Sequence, residues 1–139
     1  MSDLAITAAS VAAGAGASVV DGTANAAIVH GKSVYLDPDT GKFGLYDANG
    51  ATAAIRTLFG VALSASAGDG QPIRVQKGGE INLGATLAVG TVYVGSATPG
   101  GIAPIDDLVA GWYTSTLGIA VSTSRLAMQI QNGGVAVPA

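Results

Sequence analysis

One histidine, His30, and no cysteine leave this chain few groups that could do chemistry. As a general base His30 would need a poised nucleophile, and no serine here stands in a Gly-x-Ser-x-Gly elbow. It reads as an ordinary histidine at a strand edge. Asp37-x-Asp39-x-Gly41 has the outline of a calcium loop, in which alternate carboxylates turn inward onto one hard cation. The full loop also needs a third oxygen ligand and a closing bidentate acid, whereas Phe43 and Gly44 follow. Turn chemistry explains each of its residues. Asp106 and Asp107 are paired acids by sequence, but adjacent side chains diverge on a strand and on a helix alike. They read as a solvated turn or a helix start. Gly14-Ala15-Gly16 lacks the third glycine, the preceding buried strand and the downstream acid of a dinucleotide fingerprint, so close backbone approach is its expected use. Trp112 and Tyr113, with Tyr35, Tyr46 and Tyr93, could build a carbohydrate-stacking platform or a repeated core. No residue is assigned a catalytic, cofactor-binding or metal-ligating role, no cofactor is expected, and the chain is not read as an enzyme.

What must position these residues follows from composition and internal repetition. Charged residues are 11% of the 139, and Gly, Ala, Ser, Thr and Val dominate, unlike a charged helix bundle or an acidic disordered tail. A surface this poor in charge favours burial against copies of itself or against partners. Lys32, Lys42, Arg56, Arg74, Lys77 and Arg125 are scattered singly, whereas phosphate binding needs cations gathered on one face, so nucleic acid is not expected as a partner. The uncharged stretch 4–20 is too rich in Ala and Gly for a spanning helix or a secretory h-region. The expectation is a soluble protein assembled inside a cell, without a membrane partner.

Two segments of the chain match each other. The first holds Val34-Tyr35-Leu36, then Phe59-Gly60-Val61-Ala62-Leu63, then Ile73 to Gly79; the second holds Val92-Tyr93-Val94, then Leu117-Gly118-Ile119-Ala120-Val121, then Met128 to Gly134. Tyr35 to Tyr93 and Gly60 to Gly118 are both 58 positions, and Gly79 to Gly134 is 55. The difference implies a deletion in the loop before the last strand, since loops tolerate length change and strands do not. On this alignment Val75 is expected to superimpose on Ile130.

The fold class expected is all-β: two tandem, diverged small β-barrel or sandwich units with an N-terminal strand or extended arm. The arm covers 1–28, the first unit 29–82 and the second 83–139, as separate units or as one compact domain. Within the first unit, β-branched and aromatic residues at 32–36 predict a strand. Asp37-Pro38-Asp39-Thr40-Gly41 then predicts a tight turn and 42–46 the returning strand. Further turns are expected at 47–50, 68–70 and 98–101, with short helical pieces at 51–57 and 106–110, the second capped by Asp106. The segment 1–28 lacks a stripe of large apolar residues, so it is expected to be mobile when free and to contact neighbours when bound.

The segment Ile6-Thr7-Ala8-Ala9, the stretch Gly31-Lys32-Ser33-Val34-Tyr35-Leu36-Asp37 with Thr40-Gly41-Lys42, and the block Phe59-Gly60-Val61-Ala62-Leu63-Ser64 resemble the small capsid decoration, or cement, proteins of tailed bacteriophages. The resemblance covers 30–79 and, as the second copy, 87–134. It implies a non-catalytic virion protein, assembled in the host cytoplasm and bound to the outside of the head. The implied partners are the major capsid protein and further copies of the chain, commonly as a homotrimer. Two other readings stand beside it: the base or head-binding part of a phage fibre or spike, and a carbohydrate-binding module.

Overall fold

The computed structural model describes residues 3–138. The protein is all-β, with ten strands in a strongly curled antiparallel sheet. In chain order these are β1 (Val11–Ala13), β2 (Ser18–Thr23), β3 (Ser33–Leu36), β4 (Phe43–Leu45), β5 (Gly60–Ala62), β6 (Pro72–Leu83), β7 (Val92–Gly95), β8 (Ile102–Pro104), β9 (Tyr113–Ala120) and β10 (Arg125–Ala136). Among the described residues no helix is long and apolar enough to cross a membrane.

Local chemistry sets the hairpins. Asp37 Oδ1 accepts the Asp39 N–H at 2.9 Å, the Asp37 N–H donates to the Lys42 carbonyl at 2.8 Å, and Gly41 takes φ 71° on re-entry. The predicted turn therefore joins β3 to β4, with Tyr35 opposite Gly44. At the next turn Asp47 Oδ1 accepts the Asn49 N–H at 2.9 Å. The helical pieces expected at 51–57 and 106–110 are instead irregular turns and a single 3-10 turn at Ile105–Asp107. That turn starts from Pro104 without a side-chain cap, so Asp106 lies inside it and does not cap it.

The strand order β4-β3-β5-β6-β10-β9-β7-β8 reads the same from both ends once β3, β4, β5 and β6 are matched to β7, β8, β9 and β10. Each unit is thus a hairpin, a third strand beside its first, and a long closing strand. The two closing strands pair with each other, Ile81 opposite Leu126 and Glu80 opposite Ala127. β6 serves both units. Its first half carries Ile73 and Val75 into a core with Ala24, Ile28, Val34, Phe43 and Ala62. Its second half carries Ile81 and Leu83 into a larger core with Tyr93, Ile102, Leu117, Ala120 and Leu126. Between the halves Gly79 takes φ 81°, and a Cβ there would overlap the Gly16 backbone.

Two expectations need correction. The segment read as a strand or a mobile arm is strand, bound into the sheet: β1 pairs with 81–83 and β2 with 72–78 along one side of β6. Leu4 donates its N–H to the Ile102 carbonyl at 2.7 Å, Thr7 to the Gly84 carbonyl at 2.8 Å, and Leu4, Ile6 and Val11 pack on the larger core. Small residues suit this strand because it lies against glycines 78 and 79, where backbones approach closely. At its far end Ala24 bridges to Phe43, which brings β4 round toward β2 and completes the curl of the first unit.

The second correction is one of register. Val75 lies opposite Ala62, and Leu126 lies opposite Ala120, so the counterpart of Val75 is Leu126, not Ile130. The loop before the last strand runs 63–71 in the first unit and only 121–124 in the second. Gly60 and Gly118 do match, each packed against the closing strand of its own unit, but Val34 lies opposite Gly60 where Tyr93 lies opposite Gly118, so the counterpart of Tyr93 is Val34, not Tyr35.

Candidate functional site

The residues singled out in the sequence lie on separate elements. His30 sits in the turn before β3, in a surface pocket with Asp3, Leu4, Lys32 and Ile102, where the Ser96 hydroxyl donates to the Asp3 carboxylate at 3.0 Å. Asp37 and Asp39 form the β3–β4 turn, and Asp106 and Asp107 the 3-10 turn after β8. No group of three or more His, Asp or Glu side chains able to hold a metal occurs among the described residues. Gly14-Ala15-Gly16 makes the close approach its composition suggests: the Gly14 N–H donates to the Glu80 carbonyl at 2.7 Å, and the Glu80 N–H to the Ala15 carbonyl at 2.9 Å.

The aromatic residues build core and seams in place of a stacking platform. Tyr46 and Tyr93 are buried in the larger core, and the Tyr46 ring lies where a side chain on residue 95 would otherwise be. The Tyr93 hydroxyl accepts the Ala88 N–H at 3.0 Å, and Trp112 packs on the same core. Tyr35 is buried at its own seam, accepting from Asn25 Nδ2 at 3.3 Å. Arg56 stacks its guanidinium 3.9 Å from the centre of the Tyr113 ring. Of the five aromatic side chains singled out in the sequence, Tyr35, Tyr46 and Tyr93 are buried and Trp112 and Tyr113 half-buried.

Two polar residues that the sequence does not single out join distant segments. The Gln76 amide is buried where β6 passes from one unit to the other, and its Nε2 donates to the carbonyls of Gly78 at 2.9 Å and Glu80 at 2.7 Å. Asn132 on β10 accepts the Leu58 N–H at 2.7 Å and donates to the Leu58 carbonyl at 3.0 Å, replacing a strand neighbour with a side chain. Neither has a local signature, because each partner is set by tertiary structure.

A groove on the outer face of the second unit is lined by Val92, Thr116, Gly118, Ile119, Ala127, Gln129 and Gln131. Strand register builds it. Tyr93 lies opposite Gly118 but Val94 opposite Thr116, so Leu117 is an extra residue that bulges β9. The bulge keeps Leu117 and Ala120 inside while Ile119 faces out. Val92, Ile119 and Ala127 then lie in one row across β7, β9 and β10. Gly118 adds no side chain to the groove, and none of its lining residues is charged. It offers apolar contact edged by hydroxyl and amide groups.

Electrostatics elsewhere is sparse. Cross-strand ion pairs join Arg74 to Asp21 at 2.8 Å and Arg125 to Glu80 at 3.0 Å, equivalent arginines on the two closing strands. The Arg74 guanidinium holds the Asp21 carboxyl below its ordinary range, although both are exposed and screened. Burial pushes the Tyr46 phenol above its ordinary value, with a hydrogen bond to Ser115 opposing and the charge of Asp47 adding. No protein-family model, curated protein or solved structure matches the chain.

Proposed function

We propose that the chain is a structural virion protein that binds the outer surface of an assembled tailed-phage capsid and stabilises its lattice, with the major capsid protein as partner and a homotrimer as the binding form. The observation that carries this reading is where the decoration-protein motifs fall. Gly31 to Asp37, Thr40 to Lys42 and Phe59 to Ser64 supply β3, its turn and β5 of one curled unit, and that unit's strand plan occurs twice. The chain is poor in charge, and the lining of the groove over Gly118 is uncharged, as suits contact with another protein surface.

The mechanism is mass action. A protein that binds the assembled lattice and not its free subunits favours the lattice in proportion to its occupancy. Many weak sites suffice when they act together on one particle. The test adds purified protein to capsids that lack it, then measures co-sedimentation and the temperature at which particles rupture. Saturable binding with a rise in rupture temperature supports the reading; absence of binding to both unexpanded and expanded capsids overturns it.

A further inference from the structure

The repeat gives the paired strand residues of one unit counterparts in the other, and one matched pair of rows is treated oppositely. In the first unit Ser33, Val61 and Gln76 lie side by side across β3, β5 and β6. All three are 0% exposed, and Val61 is packed in the larger core with residues of the second unit. The outward face of the first unit is therefore covered by the second. The corresponding row in the second unit is Val92, Ile119 and Ala127, across β7, β9 and β10. Here Ile119 is 48% exposed and the row lines the open groove.

The chemistry of the two rows is the reverse of what their exposure would suggest. The covered row contains a hydroxyl and an amide whose donors bond inside the chain: the Ser33 hydroxyl donates to the Gly101 carbonyl at 3.0 Å, and the Gln76 Nε2 to the Gly78 and Glu80 carbonyls. The open row is wholly apolar. Val121 and Val89, 46% and 63% exposed, belong to the loops that flank it, which are joined by the Gly90 N–H to the Ala120 carbonyl at 2.8 Å. An apolar row left open at the end of a repeat is what an array shows when its next unit is missing.

We infer that the row Val92–Ile119–Ala127 is a self-association surface that receives a second copy of this chain. The contact stands in place of the one that the second unit makes on Val61 within each chain. Because it joins the second unit of one copy to a different surface of the next, it is heterologous, and such contacts close a ring when the rotation allows. An uncharged lining fits a second copy of a lightly charged chain better than it fits a strongly charged partner. The surface gives the oligomer of the proposed function a location, and the inference rests on that reading only for the oligomer's purpose. Its test uses free protein without capsids, so the two can fail separately.

The experiment is sedimentation velocity on the full chain up to about 100 μM, where a contact of micromolar affinity saturates. Wild type should associate. Ile119→Lys should weaken association at least tenfold with an unchanged melting temperature, because the side chain is half exposed. Val109→Lys, at an equally exposed valine outside the row, should associate like wild type. If Ile119→Lys misfolds, Ala127→Glu at the edge of the same row is read in its place. A monomeric wild type across the range, or association untouched by a folded row variant, overturns the inference. Since the chain has no cysteine, Ile119→Cys adds a geometric readout. A head-to-tail contact keeps the two thiols apart, and ready formation of a 119–119 disulfide would show a face-to-face pair and overturn the proposed arrangement.

Discussion

Gly60 and Gly118 meet the same obstacle in the two units: a Cβ on Gly60 would overlap the Gln76 carbonyl oxygen, and one on Gly118 the Ala127 carbonyl oxygen. Both obstacles are backbone, which cannot turn aside as a side chain does. Gly60→Ala and Gly118→Ala should each lower the unfolding free energy by about 1–3 kcal/mol, the range for overpacking a dense interior. Chemical denaturation would measure it. Equal tolerance of alanine at both positions would show that the strands are further apart than described.

The Asn132 amide satisfies both backbone groups of Leu58, a residue that is itself buried. Asn132→Ala leaves a donor and an acceptor without these partners and should cost about 1–3 kcal/mol. Asn132→Asp keeps the acceptor and loses the donor, so it should fall between wild type and alanine. Urea midpoints of the three proteins test the order.

Tyr46 makes stability depend on alkaline pH. Burial raises its folded pKa above the unfolded value of 10.0, so the folded state holds the phenol proton more tightly than the unfolded chain does. The resulting stability is fully present below about pH 10 and is lost as pH rises through the folded pKa. Tyr46→Phe should remove this part of the slope. The measurement is the difference in melting temperature between wild type and variant from neutral pH upward, which should shift against wild type above about pH 10.

Removing residues 2–20 should disable the fold and not merely a binding arm. The deletion takes β1, half of β2 and the packing of Leu4, Ile6 and Val11 from the larger core, and it exposes one side of β6. Loss of a cooperative thermal transition is expected. A truncated chain that melts near the wild-type temperature would restore the segment to the role of a detachable arm.

The turns were legible because their chemistry is local: Pro38 and Gly41, or Asp47 and Asn49, bend the backbone whatever surrounds them. The repeat was legible through Gly60 and Gly118, where packing restricts the residue type, whereas the two tyrosines are alike as letters but one position out of step: Val34 lies opposite Gly60 and Tyr93 opposite Gly118. The register of the last strand was not. Gly78-Gly79 and Gly133-Gly134 are alike as letters, but strand pairing is fixed by opposed residues such as Ala62 with Val75 and Ala120 with Leu126. The N-terminal segment was legible only as a strand or an arm for a related reason: its small residues carry no pattern of their own and make sense only beside the glycines of β6. The groove over Gly118 depends on a one-residue bulge in β9, and a bulge leaves no composition by which to find it.

The double service of β6 also ties the two units into one inseparable body. Had each copy kept a complete set of strands, either could be lost and the other would survive as a smaller protein. Here the strand that closes the first core with Ile73 and Val75 also opens the second with Ile81 and Leu83. Cutting the chain on either side of β6 leaves one half with an open edge and an unfilled core. The two units are in that sense inseparable: loops and surface residues can change without touching β6, but neither unit fills its core without that strand.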